Sequence, residues 1–156
     1  QTQSMIIAIL LVLSALIYIF KSSLYGFLTM IPVAFVLMWE PGFLVGFDIP
    51  LNVITISIAS IMIGIGIDYG VHITQRVREE MDNGLSKEKA TKIAIERTGL
   101  SLTEAALTTV AGIGAMFFVN IPALQEFAVV IIVMTVLSCA GAVLILPAVY
   151  GFKYKK

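Results

Sequence analysis

Along its hydrophobic and polar positions the chain alternates long apolar runs with short polar connections. Five runs stand out, at about Ser4 to Phe20, Leu24 to Phe47, Leu51 to Ile73, Leu102 to Val119 and Leu124 to Phe152. At a rise of ~1.5 Å per residue, crossing a hydrocarbon layer of ~30 Å takes roughly 20 apolar residues, and each run comes near that length. Membrane-spanning strands would be about 10 residues long with strict alternation. That pattern is missing, and in lipid the remaining way to satisfy the backbone is the α-helix. The pattern therefore predicts an all-α membrane protein with five transmembrane helices. The second run is the least tidy: it contains Pro32, and Glu40-Pro41-Gly42 predicts an irregular far end.

The one substantial polar stretch, "QRVREEMDNGLSKEKATKIAIERTG", separates the third run from the fourth. Asp82-Asn83-Gly84 is a turn signal, and Ser86 is placed to cap a helix running to about Thr98 and ended by Gly99. Ala90, Ile93 and Ala94 share one face of that helix, while Lys87, Glu88, Lys89 and Glu96 make the other polar. Such a pattern predicts a short amphipathic helix lying along the cytoplasmic surface. It reads either as a plain solvated connector or as a contact surface for a regulatory partner.

Composition agrees with the pattern. The chain is 59% hydrophobic and 13% charged, against about 45–50% and about 25% in soluble domains. The mean hydropathy of +1.00 places it in the membrane class. A net charge of zero gives no reason to expect a nucleic-acid partner. Cys139 has no second cysteine to pair with.

Charge placement orients the helices. All ten Lys and Arg fall on one side: Lys21, then Arg76, Arg78, Lys87, Lys89, Lys92 and Arg97, then Lys153, Lys155 and Lys156. The other side receives Glu40, Asp48 and Glu126. The positive-inside rule makes the basic side cytoplasmic, with the N-terminus outside and the C-terminus inside. Tyr18, Tyr25, Tyr150 and Tyr154 at inner ends, and Trp39 near an outer one, match interfacial belts. A first helix that begins outside, with Gln1 in place of an initiator methionine and no basic leader before it, reads as part of something longer. The simplest predecessor is an earlier span followed by an exported domain.

The candidate chemistry lies in "IGIGIDYGVH", residues 63 to 72. Asp68 comes eight residues before Arg76, so about 12 Å inside the basic boundary on a helix. An Asp at that depth costs about 2.5–3.5 kcal/mol on insertion scales, and must face other helices or a wet cavity. Ionisable residues so placed mark ion and proton pathways by default, and a carboxyl group withdrawn from water favours its protonated form. His72, at i+4, shares the face of Asp68 and lies nearer the cytoplasm. A carboxylate with an imidazole between it and the cytoplasm can serve as a proton exit, or His72 can be an interfacial histidine and Asp68 a structural polar group. Tyr69 points about 100° away, toward packing or a hydrogen bond with a neighbouring helix. Gly64, Gly66 and Gly70 on the third run, and Gly112 and Gly114 with Ala111 and Ala115 on the fourth, read as small residues that let helices approach closely. Close approach of these two helices would bring Thr108 and Thr109 within reach of Asp68.

Enzymatic readings find no support. Intramembrane aspartyl proteases use Gly-x-Gly-Asp and a second membrane-embedded Asp. Here Gly64-Ile-Gly66-Ile-Asp68 is one residue too long, and no other Asp lies deep in a run. One His and one Cys on different runs make no metal site.

"GIGIDYGVH", the basic connector, "LTEAALTTVAGIGAMFF" and the closing "LPAVY" together resemble the RND superfamily, and within it the MMPL-like hydrophobe/amphiphile exporters. The resemblance runs from about residue 24 onward. It implies a single transmembrane domain, residues 1–156, equivalent to the five-helix block of one of two repeats, without the extracytoplasmic porter domain. It further implies proton-driven export of lipid-like or amphiphilic compounds from the cell membrane, powered by the proton gradient with no other cofactor. Asp68 and Tyr69 match the family's proton-relay pair, His72 fits its motif, and Thr108 and Thr109 match the "LTT" segment as neighbours of the relay. Membrane lipids, an amphiphilic substrate, the other repeat and its extracytoplasmic domains are the implied partners. The basic tail favours the second repeat. Two other readings stay open: a lipid- or sterol-sensing domain without proton flow, and a protein-export auxiliary of the SecD/SecF type, against which "IDYGVH" counts.

Overall fold

A computed structural model describes residues 2–50 and 53–152. It contains α1 (Thr2–Phe20), α2 (Ser23–Gly46), α3 (Val53–Asp82), α4 (Lys87–Ala94), α5 (Leu100–Gly114) and α6 (Pro122–Phe152). A π-helical turn, Ile95–Gly99, joins α4 to α5, and a 3₁₀ turn, Ala115–Phe118, follows α5. Among the described residues, four segments are long and apolar enough to cross a bilayer: Ser23–Gly46, Ser57–Asp82, Lys87–Phe118 and Pro122–Gly151. In α1 the apolar stretch is shorter, Ile6–Phe20.

Three departures from the sequence reading have simple causes. α2 runs unbroken through Glu40-Pro41-Gly42 to Gly46; Pro32 and Pro41 each remove one ladder N–H, but the flanking turns hold. α3 continues nine residues past Ile73 to Asp82, because Arg76, Glu79 and Glu80 form i,i+3 and i,i+4 ion pairs along it. Gly99 does not end the connector helix. It is buried against Val143, and the chain passes through it into α5 as one continuous helical rod. Ser86 occupies the N-cap of α4, but only its backbone carbonyl takes part, accepting from Ala90 N at 2.9 Å.

Sharp connections make the neighbouring helices antiparallel. Lys21 turns α1 into α2 with φ 47°, and Asp48 closes α2 with φ 51°. At Asp48 the amides of Asp48 and Ile49 donate back to Val45 and Leu44. Gly84, at φ 90°, closes α3 in the same way: Gly84 N reaches Met81 O at 2.9 Å and Leu85 N reaches Glu80 O at 3.2 Å. Both are the paired bonds of a Schellman ending, which satisfy carbonyls that a helix end would leave bare.

α2, α3 and α6 pack on one another at the centre, α1 lies on α2 and α3, and α5 lies on α6. Close approach is set by small residues. A Cβ added at Gly66 would fall 2.7 Å from Ser138 Oγ, and one at Gly70 2.7 Å from the Thr29 carbonyl oxygen. Gly26 is tight against Ile17 of α1, at 2.9 Å, while Gly141 meets Pro32 of α2 in ordinary contact at 3.4 Å. Gly64, Gly112 and Gly114, expected in this role, face open space, since their sides of α3 and α5 are turned away from the chain's other helices. Leu10, Phe27, Met38, Leu107 and Leu144 point outward, which gives the bundle an apolar exterior.

Candidate functional site

α3 carries two faces of opposite character. Its inner face is buried along Ile58, Met62, Gly66, Tyr69, Ile73 and Val77. Its outer face bears Ser60, Gly64, Asp68 and His72, four residues apart and all exposed. Asp68 and His72 thus share one stripe, as their spacing requires. Among the described residues Asp68 makes no hydrogen bond and no ion pair. Among the described residues, no helix covers it.

Tyr69 turns the other way. It is 5% exposed and packs with Leu28, Ile73, Cys139 and Ala142 between α3, α2 and α6. Adjacent in sequence, Asp68 and Tyr69 serve different surfaces, because successive helical residues diverge by about 100°. Thr108 and Thr109 are not brought to Asp68. α6 lies between α3 and α5, which share no comparable packing among the described residues. Both threonine hydroxyls donate to the Ala105 carbonyl of their own helix, at 2.8 and 2.9 Å. The expectation that α3 and α5 approach closely is therefore corrected. Each packs independently on α6 and leaves its own small and polar stripe uncovered, which on α5 runs through Ser101, Thr108 and Gly112.

Sequence reasoning missed two polar devices at the basic end. Tyr150, Thr74 and Thr29 form a buried chain of hydroxyls linking α6, α3 and α2. Tyr150 Oη lies 2.7 Å from Thr74 Oγ1, which lies 2.9 Å from Thr29 Oγ1. Thr29 Oγ1 is also 2.7 Å from the Tyr25 carbonyl. A hydroxyl has one proton, so Thr29 donates to that carbonyl and accepts from Thr74, which accepts from Tyr150. Tyr150, expected in an interfacial belt, is 2% exposed because this chain holds it inside; Tyr154 lies outside the described residues. The second device is Arg78. It donates to the Phe20 carbonyl at the end of α1, at 2.8 Å, and lies over the Phe20 and Tyr25 rings at 5.6 and 5.1 Å. A cation at a helix C-terminus and over aromatic faces is favourable on both counts. Two threonines and a tyrosine in otherwise apolar runs were the only sequence signal for the first device.

α4 is not free on a surface. Ala90, Thr91 and Ala94 are buried and the helix packs on α3 and α6, while Glu88, Lys89 and Lys92 stay exposed.

A helical bundle of this length and apolar character belongs with multi-pass membrane proteins. The chain is a member of the MMPL family, whose sequence pattern matches residues 2–153. It is 34% identical over 111 residues to a membrane protein of Methanocaldococcus jannaschii, a match covering 71% of this chain and 29% of that protein. It is 32% identical over 149 residues to the apo-petrobactin exporter of Bacillus anthracis, covering 92% of this chain and 20% of that one. A third relative, at 27% over 96 residues, is the mycolic acid-containing lipids exporter MmpL11 of Mycolicibacterium smegmatis, covering 62% of this chain and 10% of that protein. The chain spans less than a third of the length of these relatives. No solved structure gives a significant match. The chain is a multi-pass membrane protein of that family.

Proposed function

We propose that this chain is the membrane part of a proton-driven exporter of hydrophobic or amphiphilic, lipid-like compounds, with Asp68 as the group that takes up and releases the proton. The observation that carries the reading is the uncovered Asp68–His72 stripe on a helix that spans the membrane. A carboxylate facing hydrocarbon costs several kcal/mol, about 2.5–3.5 on insertion scales, so a second protein surface covers it in the working molecule. That surface is the other repeat of the same transporter, and the interface between the two repeats is the proton path. The uncovered stripe of α5, with Thr108, belongs to the same interface.

In this reading His72 stands between Asp68 and the cytoplasm and passes the proton on. Tyr69, wedged between α3 and α6, transmits the state of α3 to the core. The basic end is cytoplasmic, five helices cross the membrane from an outside N-terminus, and α4 lies at the cytoplasmic boundary. Two relatives named for exporting petrobactin and mycolic acid-containing lipids support an exported amphiphile. Movement of one proton through 100 mV supplies about 2.3 kcal/mol, a driving force of the right order for such a step.

The test is Asp68→Asn in the full-length protein. Export is expected to stop while melting temperature and lipid binding stay at wild-type levels. Unimpaired export by that variant overturns the proposal and leaves a lipid-sensing domain as the better account.

A further inference from the structure

α2 buries a second carboxyl group. Val36, Glu40 and Leu44 form one buried row at i, i+4, i+8, and Glu40 is 5% exposed. Val36 and Leu44 belong to a cluster with Ile58 and Met62 of α3 and Val130 and Met134 of α6, so the row points into the seam between those helices. Glu40 Oε1 is fully enclosed without a hydrogen-bond partner. Neither α1, α3 nor α6 brings a charged side chain to it among the described residues. Asp48, at the same end, is exposed, and Glu126 is half-buried; neither compensates a negative charge.

A second polar atom of the bundle, Thr135 Oγ1 of α6, is also buried without a hydrogen-bond partner. Gly141 lies against Pro32, which sets the register of α6 on α2. Eight residues beyond Pro32 and six before Gly141, Glu40 and Thr135 come to nearly one depth, about 12 and 9 Å from that contact at ~1.5 Å per residue. Burial of a carboxylate without donors is far costlier than burial of a neutral acid. Pro41, directly after Glu40, removes the N–H that would bond the Leu37 carbonyl, so α2 resists bending less beside the buried acid.

We propose that Glu40 is a proton-binding site inside the bundle, loaded in this packing and emptied when α2 parts from α3 and α6 and admits water. On opening, the Glu40 O–H bond breaks heterolytically: the carboxylate keeps the electron pair and the entering water takes the proton. Closing reverses the step. The site is distinct from Asp68, which lies on the opposite, outer face of α3, and it needs only that α2 spans the membrane.

The experiment is infrared spectroscopy of the full-length protein in lipid nanodiscs at neutral pH, read in the carbonyl-stretch region of protonated carboxylic acids. Wild type is expected to show an acid band that is lost in Glu40→Gln, which keeps shape and neutrality, and retained in Asp68→Asn. Retention in Asp68→Asn separates this site from the relay reading, so either can fail alone. Glu40→Asp, which keeps an acid group, is expected to shift the band rather than abolish it, and decides the matter should Glu40→Gln fold poorly. Superimposable acid bands in wild type, Glu40→Gln and Glu40→Asp overturn the proposal.

Discussion

Replacing Gly70 by Ala tests the contact that holds α2 against α3. Alanine favours a helix over glycine by about 0.8–1.0 kcal/mol, so intrinsic preference alone would stabilise the variant. Packing opposes it. The added Cβ would lie 2.7 Å from the Thr29 carbonyl oxygen and 3.2 Å from Thr29 Cγ2. The obstructing oxygen is backbone, so whole helices must separate. Reaching ordinary contact at 3.4 Å takes about 0.7 Å of movement. The same movement strains the 2.9 Å bond between Thr29 and Thr74, stretching it to about 3.6 Å, beyond hydrogen-bond range. Overpacking costs about 1–3 kcal/mol and the lost bond about 0.5–1.5 kcal/mol. After the helix-propensity gain, a net loss of about 1–3 kcal/mol is expected. Thermal unfolding of the purified protein in mild detergent measures it, with Gly42→Ala as control, since a Cβ at Gly42 meets nothing within 4 Å. Equal melting temperatures for Gly70→Ala and Gly42→Ala would refute the tight α2–α3 contact.

Two further stability measurements follow from the basic end. Arg78→Ala removes the bond to the Phe20 carbonyl and the contacts with two rings, and should cost about 1–3 kcal/mol; Arg78→Lys recovers part of it, and wild-type melting of Arg78→Ala would show that α1 needs no clamp. In the hydroxyl chain, Tyr150→Phe leaves Thr74 still able to donate to Thr29 and should cost about 1 kcal/mol. Thr74→Val strands the Tyr150 donor and the Thr29 acceptor together and should cost about 1–3 kcal/mol. The reverse order of stabilities would contradict the donor sequence assigned here.

The Asp68 stripe shows how a sequence can reveal a position without its surroundings. Spacing alone put Asp68 and His72 on one face and turned Tyr69 aside, because helical geometry fixes those angles. It could not say that the face looks outward, since which side of α3 is buried depends on where α2 and α6 lie. The pairing of Thr108 and Thr109 with Asp68 failed for the same reason. Two consecutive apolar runs, α3 and α5, are separated in space by α6, and no local pattern records that.

The sequence by itself determined the long apolar helices, the turn at Asn83-Gly84, and the membrane setting, because lipid leaves the backbone few alternatives and tolerates few charges. Tertiary structure alone decided which glycines are tight and which are open. It also decided that Gly99 continues a helix, that Tyr150 is buried rather than interfacial, and that Glu40 faces a seam of three helices instead of ending one. Each of these depends on the distance between surfaces remote in sequence, where a few tenths of an ångström separate a contact from a clash.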